Sequence, residues 1–322
     1  MKLRIFGKFP GIWIATIFLF AVSPLIAQGS ITPDSILLML PFAAVLAITA
    51  IGQTLVVQQR GIDLSVPGMV SLAAVICTRY PNLNEGLLVQ GIIMAIAACV
   101  LAGFLGGICV TYLSITPIVT TLAVNAFLLG FVQWYSGGSP SGACESINQW
   151  ALRSFLGLPN TLITALIIMG VVWIVMKKSV IGRRFEAVGA NPTAAYAAGI
   201  PVRRYVIGSY VMAGGFYAIA GILLAAFFKT PGVFIGNSYL LPTIAAVVLG
   251  GTPLTGRVGS VVASVVAALF LTQLGQIVLI IGAPTSIQLL IEAAAILIGM
   301  GLRSFPVEGL KQMLGKGLRA AR

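Results

Sequence analysis

Histidine is missing altogether from the 322 residues, and Asp plus Glu number only seven. The first absence removes the side chain most used as a general base near neutral pH and as a metal ligand. The second leaves few carboxylates to pair for acid–base chemistry. Charged residues of both signs make up 8% of the chain, where a soluble domain carries about 25%. A Gly-x-x-x-x-Gly-Lys-Ser/Thr loop is also missing, so the chain lacks that cradle for ATP phosphates and reads as no enzyme in its own right. The four cysteines include no Cys-x-x-Cys pair. Cys99 and Cys109 fall in apolar stretches as small apolar residues, and a Cys77–Cys144 bridge is weighed but not expected.

What remains is grease. Hydrophobic residues make up 59% of the chain, and the mean hydropathy is +1.06. One aqueous core could not hide so much apolar surface, so the fold class is an all-α, polytopic membrane protein whose bulk partner is lipid. Apolar stretches at 11–28, 36–57, 64–78, 87–112, 117–135, 161–176, 205–228, 241–252, 258–281 and 284–302 predict about ten spans. The stretches at 64–78 and 241–252 are short enough to be half-helices or re-entrant segments. The start, "MKLRIFGKFPGIWIATIFLFAVSPLIAQGS", imitates a signal peptide, but its apolar run is long and reads as a first span that stays attached. Residues 1–322 form one transmembrane domain with no soluble insertion.

Basic residues orient it. With both termini cytoplasmic, all of the 19 Lys and Arg except Arg79, Arg153 and Lys229 fall on the inner side. The net charge of +12 is therefore a positive-inside signal and not a nucleic-acid patch. Residues 136–160, rich in Gly, Ser and Pro, form a periplasmic loop, and residues 177–204 a cytoplasmic one. Within the latter, "GANPTAAYAAGI" (189–200) carries a helix signal. Asn191 suits the N-cap, Pro192 the first turn and Gly199 the stop. Two turns are marginal alone in water. Ala194, Ala195, Ala197 and Ala198 permit close approach to another surface, with Tyr196 as a knob. That surface is either this chain's own helix ends or a separate cytoplasmic subunit.

Other polar residues have two readings each. Asp63 is an N-cap for the span starting near Leu64, or a cytoplasmic gate ion pair with Arg60. Glu292 is an acid within a span, costly in lipid, and should face the interior or a partner. Gln53, Asn125, Gln133, Gln273, Gln276 and Gln288 are either translocation-path groups or interhelical hydrogen bonds. Gly103 and Gly107 have a spacing that allows close helix packing.

Three segments carry a resemblance. "EAVGANPTAAYAAGIPVRRYVIGSYVMAGGFYAIAGILLA", "TIAAVVLGGTPLTGRVGSVVAS" and "LAITAIGQTLVVQQRGIDLSVPGMVSLAAVI" are similar to the permeases of ATP-binding-cassette importers for ribose, xylose and galactosides. The chain departs from that pattern at Pro67, in the run "TGRVGS" (255–260) and at Glu292, where Gly, a Gly-richer run and a basic residue are usual. The resemblance implies a type II importer fold in a bacterial inner membrane and a coupling segment at Glu186, Gly189, Ala190, Asn191, Pro192, Ala194, Ala195, Tyr196, Gly199 and Ile200. It implies three partners: a cytoplasmic ATPase that holds the ATP and magnesium, a periplasmic solute-binding protein, and a second permease copy or paralogue. No cofactor is expected on this chain, and the solute is expected to be a pentose, hexose or related sugar. The rival classes are an ion-coupled secondary transporter and a scaffold without transport.

Overall fold

The computed structural model describes residues 10–256, 259–284 and 286–291, together with Ala293, Ala294 and Leu297. Its first helices are α1 (Pro10–Ile26), α2 (Pro33–Gln58), α3 (Val66–Arg79), α4 (Leu88–Thr111) and α5 (Pro117–Ser136). A short α6 (Glu145–Leu152) and a hairpin of β1 (Ser154–Phe155) and β2 (Leu158–Pro159) lead into α7 (Asn160–Lys178). The hairpin is antiparallel, with Ser154 opposite Pro159. The chain continues through α8 (Val180–Ala190), α9 (Pro192–Ala197), α10 (Val202–Phe228), α11 (Leu240–Leu249) and α12 (Val261–Ile280).

Among the described residues, six helices are long and apolar enough to cross a bilayer: α2, α4 with the turn before it, α5, α7, α10 and α12. Three shorter apolar helices accompany them. The stretches read as short from sequence are short here, with 14 residues in α3 and 10 in α11. At 1.5 Å per residue they reach only about 21 and 15 Å across a hydrocarbon layer of about 30 Å. About half of the last expected span, 284–302, falls outside the described residues; within it 286–291 are helical.

Helix edges follow local chemistry. Pro occupies the first turn of α2, α5 and α9, where its missing N–H costs nothing. The hydroxyls of Ser179 and Ser260 accept from Gly182 N at 3.0 Å and Ala263 N at 3.3 Å, opening α8 and α12.

Both loops hold more structure than their composition suggests. In 136–160, Asn148 Nδ2 donates to Ala226 O at 2.7 Å, Lys229 pairs with Glu145 at 2.7 Å, and Ser146 N donates to Glu85 at 3.2 Å. These bonds fasten α6 between the end of α10 and the start of α4. Ser146 donors hold the Glu85 carboxyl below its ordinary 4.5, and Lys229 does the same for Glu145. The clamp's contribution is thus complete above that value and fades as pH falls through the lowered ones. Cys77 and Cys144 are buried as free thiols.

α10 is the centre of the bundle. An added Cβ at Gly103 would lie 2.3 Å from Tyr210 O, and one at Gly107 would lie 3.0 Å from Ile207 Cα, so α4 rests directly on the α10 backbone. In lipid, helices gain nothing by hiding apolar surface from each other, and close packing of this kind holds them together. Gly103→Ala is expected to cost about 1–3 kcal/mol, read as a lower unfolding temperature in detergent. Gly130→Ala, where a Cβ meets open space, should leave that temperature unchanged or raise it. Equal temperatures for both variants would contradict the close α4–α10 seam.

Candidate functional site

The basic residues of the middle loop gather on the end of α7, on α8 and at the start of α10. Arg203 lies over the Tyr112 ring at 4.8 Å, which ties α10 to the end of α4. On α8, the buried residues Gly182, Phe185, Val188 and Gly189 recur at helical spacing. That face turns inward. Glu186 sits on the other side and pairs with Lys177 at 2.8 Å, an exposed contact of modest worth.

Asn191 closes α8 and opens α9, its Oδ1 accepting from Ala194 N at 3.1 Å. Pro192 takes the first turn. At the far end Gly199, at φ +76°, adopts the left-handed conformation. Its N–H donates to Tyr196 O, and that of Ile200 to Ala195 O at 3.0 Å, which is a Schellman closure. Ala195 is buried, whereas Tyr196 is 77% exposed and Ala194 is also exposed. A six-residue helix thus carries caps at both ends, one side chain anchored and one knob free.

Beneath it lies the turn joining α2 to α3. Arg60, at φ +66°, reaches the last carbonyls of α8: Nε donates to Gly189 O at 3.2 Å and Nη2 to Ala190 O at 2.7 Å. Gln59 Nε2 donates to Phe185 O at 2.9 Å. Gly189 has no room for a side chain, since a Cβ would lie 2.3 Å from Gln58 O.

The chain then dips into the bundle. Asp63 is fully buried, and its Oδ1 accepts from the N–H of Ser65 at 2.9 Å and from the Ser65 hydroxyl. Gln53 brackets it: with its amide oriented to suit both neighbours, Nε2 donates to Asp63 O at 3.1 Å and Oε1 accepts from Asp63 N at 3.2 Å. The same amide meets the Tyr217 hydroxyl at 2.9 Å. Thr121 Oγ1 accepts from Leu64 N at 2.9 Å, and Asn125 Oδ1 from Gly68 N at 2.8 Å.

Two expectations change here. Arg60 and Asp63 form no ion pair among the described residues, because Arg60 turns outward to α8 while Asp63 turns inward. Nor does Asp63 cap a helix. Ser65 precedes α3 without a side-chain cap bond, and Asp63 instead closes a turn over Ser65.

The remaining candidates separate. Gln276 and Gln288 meet at a cavity of about 540 Å³ between α2, α11, α12 and the 235–239 turn, walled mainly by residues such as Met39, Phe42 and Leu271. Gln276 Nε2 donates there to Ser35 O at 2.8 Å. Gln273 bonds to Ser23 at 3.2 Å, joining α12 to α1, and Gln53 and Asn125 serve the buried turn. Gln133 is exposed on α5. Glu292 lies outside the described residues. Sequence reasoning missed Gln59, Tyr217 and Thr121, whose roles depend on contacts 57 or more residues away in the chain. Among the described residues, no three of His, Cys, Asp and Glu converge as metal ligands would.

With this geometry in place, comparison is informative. Residues 35–300 match the family model described as "Branched-chain amino acid transport system / permease component". The chain belongs to this family. Within it, the chain is similar to the ribose import permease protein RbsC of Bacillus subtilis (strain 168), 30% identical over 91% of each chain. It is also similar to RbsC of Escherichia coli (strain K12), 30% identical over 89% of this chain and 91% of the relative. The autoinducer 2 import system permease protein LsrD of Escherichia coli O9:H4 (strain HS) is 29% identical over 89% and 90%. No solved structure matches. Family and apolar helices together make this a multi-pass permease of the bacterial inner membrane.

The buried turn yields a stability test. Asp63→Asn keeps an acceptor for Ser65 and should leave the unfolding temperature in detergent close to that of the parent. Asp63→Ala strands the buried Ser65 donors and should cost about 1–3 kcal/mol. Equal losses for Asn and Ala would mean that charge, not hydrogen bonding, is what the site needs.

Proposed function

We propose that the chain is the membrane-spanning subunit of an ATP-driven importer, moving a sugar or sugar-like solute inward by alternating access. A separate cytoplasmic ATPase supplies the energy and docks on α8 and α9. The observation that carries this reading is the build of α9. A short helix closed at both ends presents Tyr196 outward amid basic residues, a shape suited to a groove on another protein and wasteful as a mere connection. A ribose import permease and an autoinducer 2 import permease among its relatives favour a pentose or a compact furanose-like solute.

In this reading a second permease, identical or paralogous, completes the path. A periplasmic solute-binding protein delivers cargo at the opposite face, near residues 136–160 and 229–240, where α6 is clamped. The solute passes the cavity that Gln276 and Gln288 border. ATP binding by the partner shifts the balance between inward-open and outward-open states, which requires contacts that differ between the two.

Replacing Ala195 by Pro tests this directly. Ala195 N donates to Asn191 O at 2.9 Å. Proline removes that donor and costs about 3 kcal/mol, more than so short a helix can absorb. Co-purification of a cytoplasmic ATPase with the parent chain, and its loss with Ala195→Pro, is the expected result. Retained association in the variant, or uptake by the chain alone in vesicles bearing only an ion gradient, would overturn the reading.

A further inference from the structure

Three separate segments close on the Gln58–Arg60 turn. From one side comes the end of α8, with the Gly189 and Ala190 carbonyls held by Arg60 and the Gly189 backbone against Gln58 O. From a second side comes the connection before α12. A Cβ at Gly256 would meet Arg60 Cγ at 2.4 Å, and one at Gly259 would meet Gln58 Nε2 at 2.5 Å. From the third comes α10, where a Cβ at Gly61 would meet the Tyr210 hydroxyl at 2.4 Å. Arg60 is held at φ +66°, a left-handed conformation that is unfavourable for a residue with a side chain. Such strain persists only where the surroundings over-determine it.

The turn also stands at the ends of two long helices. α2 finishes there, and its opposite half supplies Ser35, Leu38, Met39, Phe42 and Leu46 to the 540 Å³ cavity. α12 begins two residues beyond Gly259 and supplies Leu271, Thr272, Gly275 and Gln276 to the same wall. Helices transmit displacement well because their interiors are close-packed. Arg60 meets the two terminal carbonyls of α8 with a cation at the negative end of the helix dipole, and the backbone contact at Gly189 has no side chain to give way.

We propose that this turn is the relay between docked ATPase and solute path, with Arg60 as its positioning residue: it locks α8 to α2, so that movement of α8–α9 becomes movement of the cavity wall. The inference rests on the ATP-driven reading above and adds to it the place where force enters the bundle. Arg60 touches neither nucleotide nor solute. It acts through the α8 carbonyls.

The test uses the chain in nanodiscs with the ATPase that co-purifies with it. Nitroxides at Leu38→Cys and Leu279→Cys, exposed residues on the cavity wall, are introduced after replacement of the four native cysteines. Their separation is read by pulsed electron resonance before and after trapping the ATPase with ATP and vanadate. In the parent the distance shifts on trapping. In Arg60→Ala the shift is lost while ATPase binding stays within about fivefold of the parent, and Arg60→Lys, which keeps charge but not the two-pronged reach, recovers part of it. Gly208→Ala, where a Cβ meets open space, keeps the full shift. Should Arg60→Ala fail to fold, Gln59→Ala decides by the same criteria, because it removes the other side-chain bond from the turn to α8, the one to Phe185 O, with Arg60 intact.

A full shift in Arg60→Ala overturns the relay and leaves the importer reading standing. Loss of ATPase binding in that variant also overturns it, reducing Arg60 to a prop for the dock, as does a parent whose labels stay put on trapping. A parent that binds no ATPase overturns the importer reading and the relay together.

Discussion

Inside a bilayer, helices cannot be driven together by water, so a bundle stands on close backbone approach and on the few polar pairs it buries. Here both converge on α10. Its backbone receives Gly103 and Gly107 of α4 on one side, and a Cβ on Gly221 would lie 2.3 Å from Val70 O of α3 on another. Its Tyr217 hydroxyl meets Gln53 of α2. The polar pairs Thr49–Thr243 at 2.9 Å and Thr54–Ser264 at 2.8 Å extend the same logic from α2 to α11 and α12. Because α10 begins only five residues after α9 ends, the helix holding the bundle also lies close in sequence to the exposed knob.

Dependence runs in one direction through the basic face. α9 is too short to persist unaided. It borrows order from Asn191, which is also the last cap of α8, and α8 in turn is fixed by Arg60 and Gln59 from the α2 turn. That turn is fixed by the buried Asp63 loop, whose main chain Gln53 brackets. Asp63 has no cation beside it among the described residues, and an unpaired carboxylate in such surroundings is expensive. The two Ser65 donors offset part of that cost. The arrangement places a polar, hydrogen-bonded segment where a plain helix would have been cheaper, as is usual where structure serves movement.

Much of this was legible in the sequence, and the limits have a physical pattern. Features set by neighbours in the chain could be read: the start and stop of α9 from Asn191, Pro192 and Gly199, and the brevity of α3 and α11 from short apolar runs. Features set by distant partners could not. Arg60 and Asp63 look like an ion pair at three residues' separation, yet the left-handed turn at Arg60 sends them opposite ways. The Gly103/Gly107 spacing is common in Gly-rich chains, and only the fold shows which glycines face a backbone. α6 is polar and short, and bonds to Ala226, Lys229 and Glu85 keep it folded. α8 could have been found, since Phe185 and Val188 mark an apolar face behind a Ser179 cap, but its cluster of arginines masked that signal.

The cavity that α2 and α12 share completes the picture through what its wall can offer a hydroxylated solute. Aliphatic and aromatic groups such as Leu38, Met39, Phe42 and Phe228 dominate, and Ser35, Thr272, Gln276 and Gln288 supply the polar contacts. These groups already have partners within the protein: Gln276 donates to Ser35 O, the Thr272 hydroxyl donates to Ala268 O, and the Ser35 hydroxyl accepts from Thr32. A sugar entering here would exchange many hydrogen bonds to water for few to protein, and each one left unmade costs about 1–3 kcal/mol. Such a wall binds weakly. Weak binding suits a path, because a solute held tightly halfway would have to be prised loose on every cycle. On the proposed import reading, selection among solutes falls before the cavity is reached, and the permease would contribute the motion of that apolar wall.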